Sequence, residues 1–103
     1  MTEGQSLISP DVLASYAADA AREVPGVHGL VGGALHRHDG VKVARDEGRV
    51  GVELHLSLDW GANAGVVGAE VQKRVAAVLA RMADVTPHTV DVVVDEWHSA
   101  SSA

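Results

Sequence analysis

The sequence contains no cysteine and no phenylalanine, a single tyrosine (Tyr16) and two tryptophans, Trp60 and Trp97. Without thiols there is no disulfide, no thiolate metal site and no sulfur nucleophile. With so few aromatics the core must be assembled from valine, leucine and alanine, within an ordinary apolar content of 47%. Basic residues are also scarce: eight Lys and Arg stand against fourteen Asp and Glu, a formal charge of −6. A negative surface repels phosphate, which argues against nucleic acid and anionic lipid as partners. No apolar run approaches the ~20 residues that span a bilayer. The start, Met1 to Ser6, has neither the basic stretch nor the apolar core of a secretory leader, so a cytoplasmic location is expected. A chain of 103 residues has room for one core.

What is present is alternation. Val50, Val52, Leu54, Leu56, Leu58 and Trp60 fall on one side of a segment whose other side holds Gly51, Glu53, His55, Ser57 and Asp59. A period of two over that length predicts a strand with one face buried and one left open, and it places Trp60 in the core. Val41 and Val43 flank Lys42 in a shorter strand, and Asp46-Glu47-Gly48 is turn chemistry, so the two should form an antiparallel hairpin. Ser9-Pro10-Asp11 opens a helix whose apolar positions are Leu13, Tyr16, Ala17, Ala20 and Val24, ended by Pro25-Gly26. Val67, Val71, Val75, Val78, Leu79 and Met82 predict a second helix over about 65–82. A last strand over 89–97 turns Val90, Val92 and Val94 inward, and Asp91, Val93, Asp95 and Trp97 outward. The glycine-rich stretch 27–39 shows no period and reads as a loop.

These elements predict an α+β domain over 7–97 in the order α-β-β-α-β, between a disordered 1–6 and a frayed tail 98–103. Both helices should stack on the apolar face of a three- or four-stranded sheet in a two-layer sandwich, leaving the opposite face uncovered. The fourth strand, if there is one, is expected at Leu7–Ile8, where its pairing would give a ferredoxin-like sheet.

Candidate chemistry is sparse. His36 and His38 flank Arg37 beside Asp39 and could chelate zinc with help from elsewhere, but a mobile loop with a cation between the ligands is a poor template, and no metal or other cofactor is expected. Glu53, His55 and Asp59 on one strand face, with Asp91 and Asp95 nearby, are raw material for acid–base catalysis. A flat strand face gives them no pocket, so an enzyme is the secondary reading. Gly29-Leu30-Val31-Gly32 has the spacing of a nucleic-acid-clamping loop but apolar residues where basic ones are needed. A contact surface formed by Glu53, His55, Ser57, Asp91, Val93 and Trp97 is the favoured site, with Trp97 folded over a helix end as the alternative.

Five stretches in this order carry a family resemblance: Ile8 to Val12, Glu23 to Val27, Gly40 to Val43, Val50 to Leu54 running on to Asp59-Trp60-Gly61, and Val71 to Val75 followed by the strand Val90 to Asp95. Together they resemble the alkaline shock protein family, the envelope stress response proteins of Gram-positive bacteria. Trp60 stands where such proteins would be expected to have tyrosine. The resemblance implies an α/β domain without catalytic residues. It also implies an abundant cytoplasmic protein held near the membrane through a membrane-anchored partner, acting in envelope homeostasis and able to self-assemble.

Overall fold

A computed structural model describes residues 8–32 and 40–99. Ser9 caps the first helix, α1 (Pro10–Arg22), its Oγ accepting from the Val12 amide at 3.2 Å. Proline in the first turn loses no hydrogen bond there, and Asp11 meets the positive end of the helix dipole. The inward side of α1 is Leu13, Ala14, Ala17, Ala18, Ala20 and Ala21. Small side chains let this helix lie close against the sheet and against α2 (Ala64–Ala83). Asn63 caps α2, accepting from the Val66 amide at 3.0 Å, and Asp84 closes it in the left-handed conformation.

Four strands follow α1: β1 (Val27–Leu30), β2 (Val41–Asp46), β3 (Arg49–Asp59) and, after α2, β4 (Thr89–His98). The order is thus α-β-β-β-α-β, an α+β fold in which the helices cover one face of the sheet. β2 and β3 form the expected hairpin, from Val41 opposite Leu54 to Asp46 opposite Arg49. Its two-residue turn has positive φ at both Glu47 (53°) and Gly48 (80°), the combination whose twist matches the flanking strands. β4 returns through α2 to lie parallel to β3.

The fourth strand is β1, inside the segment expected to be a loop; Ile8 sits in a bend, and Leu7 lies outside the described residues. β1 left no period in the sequence because it is four residues long and irregular: Val27 pairs with Leu58 and Gly29 with Ser57, so His28 interrupts the alternation. β1 and β2 lie end to end along the same edge of β3, β1 beside residues 56–58 and β2 beside 49–54. At the junction the Val31 amide donates to the His55 carbonyl and the His55 amide donates to the Gly40 carbonyl, both at 2.8 Å.

The core is Leu13, Val24, Val52, Leu54, Leu56, Leu58, Val71, Val75 and Leu79, with the alanines of α1 between the layers. Each fully buried leucine or valine contributes about 1.5–3 kcal/mol. The α2 stripe runs Val67, Val71, Val75, Leu79 and Ala83, and Met82, expected on it, is exposed. Trp60 is likewise not core: it is 72% exposed, because β3 ends at Asp59 and the chain turns away before the tryptophan reaches the helices.

Gly40 locks the junction of β1 and β2. Its φ is +93°, and a Cβ there would collide with the Val31 carbonyl oxygen and stand 3.0 Å from the His55 carbonyl oxygen. Both obstacles are backbone, so neither can swing aside. Gly40→Ala should destabilise the fold by at least about 2 kcal/mol in urea denaturation. A loss below about 0.5 kcal/mol, the range of an ordinary surface change, would contradict this account of the junction.

Candidate functional site

The helix-free face of the sheet is built from the alternate positions of β3 and its neighbours. Along β3 these are Gly51, Glu53, His55, Ser57 and Asp59; on β4 Asp91 lies opposite Glu53 and Val93 opposite His55. On the other side Lys42 lies opposite Glu53. One row across the sheet therefore reads Lys42, Glu53, Asp91. Like charges placed directly opposite destabilise a pair of strands, and only the Glu53 end of this row has a cation beside it.

The face converges more than a flat strand pair would, because β4 carries a bulge. Val94 pairs with Leu56 and Glu96 with Ser57, leaving Asp95 as the extra residue. The Asp95 carboxylate stands 2.8 Å from His55 Nδ1, and Glu53 stands 2.6 Å from Nε2. The Glu53 hydrogen bond, more than the Asp95 one, raises the His55 pKa above its ordinary 6.5 against the opposing effect of burial. In the protonated imidazole each ring nitrogen donates to one of these carboxylates.

The same bulge reverses everything after it. Trp97 pairs with Leu58, an inward position, and so belongs to the helix side of the sheet and not to the open face on which strict alternation placed it. There it meets Trp60 edge to face, with ring centroids 6.2 Å apart, and the two line an open groove of about 360 Å³ with Gly61 and Ala62. Ser57 keeps its outward position in β3 but is only 5% exposed, so it offers little to a partner. Glu53, His55, Asp91 and Val93 remain together on the open face. His36 and His38 lie outside the described residues.

A second histidine pair had no signal in the sequence. His28 and His98 stack with centroids 3.6 Å apart and planes 12° from parallel, and His28 Nδ1 lies 3.6 Å from an Asp59 oxygen. One of these histidines fell in a presumed loop and the other in a presumed tail. Among the described residues no cluster of three or more His, Cys, Asp or Glu is arranged to hold a metal ion.

The His55 cluster has a pH signature. A folded pKa above the unfolded value means that its stabilisation is fully present below 6.5 and is lost as pH rises through the raised value. Urea midpoints measured from about pH 5 to pH 9 should show this loss in the wild type and not in His55→Gln. Parallel profiles for the two proteins would refute the assignment.

No curated protein matches the chain. Among solved structures, the MamM CTD in its copper form is similar over 90% of each chain, with 13% identity and a TM-score of 0.58. A MamM CTD in a manganese form covers 84% of this chain and 96% of its own, at 16% identity and a TM-score of 0.54. At such identity the likeness is one of fold. Among the described residues no helix is long and apolar enough to cross a membrane. The model of the alkaline shock protein family, described by a cell envelope-related function, matches residues 1–98, as the sequence resemblance led us to expect, and the chain belongs to that family.

Proposed function

We propose that this protein is a non-enzymatic scaffold with a role in cell-envelope homeostasis. It binds a protein partner, copies of itself, or both, through the helix-free face of its sheet. Its place is the cytoplasm beside the membrane, reached through a membrane-anchored partner and not by insertion. The observation that carries this reading is the state of the polar groups on that face. His55 has both ring nitrogens engaged, Nδ1 by Asp95 and Nε2 by Glu53, and these carboxylates raise its pKa above the ordinary value. An imidazole tied on both sides to carboxylates of its own sheet presents neither nitrogen to a substrate, which supports a contact surface over a catalytic one. Beside it Val93 is 37% exposed on a strand otherwise polar on that side, the combination of apolar contact and charged surround that suits a protein interface.

Light scattering over about a hundredfold concentration range, together with affinity capture from the native cells, tests the proposal. Val93→Asp should weaken self-association or partner capture by at least about tenfold, close to 1.4 kcal/mol, with the fold unchanged by circular dichroism. A wild-type protein that stays monomeric throughout and retains no partner would refute it. So would a V93D variant that behaves as the wild type in both measurements.

A further inference from the structure

The sheet has two edges, and they differ. One is occupied in tandem by β1 and β2, which are short and separated in the sequence by residues 31–40. The other is β4, a continuous strand of ten residues whose only strand partner among the described residues is β3. The His55 amide and carbonyl bond toward β1 and β2, so the even-numbered residues of β3, from Val50 to Leu56, turn their backbone groups toward β4. Val52 lies opposite Val90 in a parallel ladder, so β3 bonds to Thr89, Asp91 and Val93. The backbone groups of Val90, Val92 and Val94 then point away from it, toward the free edge, where the Val90 carbonyl accepts from Gln72 Nε2 at 2.9 Å. Such a row is a template for another strand.

Charge selects what that strand can be. The open side of β4 carries Asp91, Asp95 and Glu96, all exposed, and no lysine or arginine. A second copy of β4 laid antiparallel about Val93 would place Asp91 against Asp95, an arrangement that like charges oppose. At the end of the strand the Trp60–Trp97 groove offers two aromatic faces, which attract both apolar side chains and cations.

Resting on the interaction reading above, we infer that the free edge of β4 takes an extended basic segment of a partner protein as an added strand. Lysine or arginine lies near Asp91 and Asp95 on the open side, and an apolar residue sits in the Trp60–Trp97 groove. The acids thus have a double effect: they keep β4 from pairing with its own copy and favour a strand of opposite sign. Backbone hydrogen bonds to the Val90 amide and to Val92 and Val94 supply affinity, and the alternating charges set register.

The test uses a synthetic peptide of alternating lysine and valine ending in leucine, titrated into the full chain. Binding is followed by fluorescence of Trp60 and Trp97, the two tryptophans of the chain, and by amide hydrogen exchange. The peptide should bind and protect the Val90, Val92 and Val94 amides. Replacing its lysines with glutamates, or placing one proline at its centre, should weaken binding at least about tenfold. Asp91→Lys with Glu96→Lys should weaken the original peptide to a similar degree. Equal binding of the proline peptide, or binding without protection of those three amides, would overturn edge pairing and leave a face interaction standing. No binding by the lysine peptide, in a protein that still self-associates or captures its partner through Val93, would overturn the inference alone.

Discussion

Among the described residues every strand of this sheet pairs with β3, and no two of the others pair with each other. This one constraint organises the molecule. β3 contributes Val52, Leu54, Leu56 and Leu58 to the buried face, so both helices pack against it or against strands that hang from it. Its backbone is committed on both edges along nearly its full length. A change that weakens β3 therefore detaches three strands together, and the small core, almost without aromatics, has no second element able to hold them. The close fit at Gly40, where the ends of two strands meet beside the His55 backbone, belongs to the same dependence.

β3 and the two helices were legible because each is long enough for its period to show. Five alternate apolar residues define β3, and the four-residue spacing from Val67 to Leu79 defines α2. The hairpin followed from turn chemistry, although the positive φ of Glu47 is something that no residue preference for glutamate would suggest. β1 was illegible for the opposite reason. Four residues with a bulge at His28 owe their extended form to pairing with β3, and local sequence has no say in that pairing. Trp60 was misplaced by carrying a correct alternation one residue beyond the end of its strand. Polar residues on a strand face announce a surface, but which of them meet depends on register, and register is a property of two strands.

The bulge at Asp95 is where this matters most. One extra residue aims a carboxylate at His55 and turns Trp97 to the helix side. A sequence read by strict alternation puts Asp95 and Trp97 on one face; the folded chain divides them. The candidate surface is thereby sorted into two chemically distinct parts. On the open face lies a charged cluster with Val93 beside it, and past the end of the strand lies an aromatic groove with Trp60. Neither part was legible as a unit, although every residue in both was visible.

Stability alone gives a poor account of the open face. Exposed ion pairs contribute about 0–1 kcal/mol, so the partners of His55 add little that a few hydroxyls would not. Glu53 opposite Asp91 is unfavourable by about the same measure. Lys42 offsets the Glu53 side of that row, while Asp91 has no ion pair among the described residues and stands at the free edge. The cost of this charge falls on the isolated fold, and nothing within the described fold recovers it. A complementary charge brought from outside would recover it, and only at the edge where the backbone is also unpaired. Charge and hydrogen-bonding capacity left open at the same place are what separate a binding edge from a merely protected one.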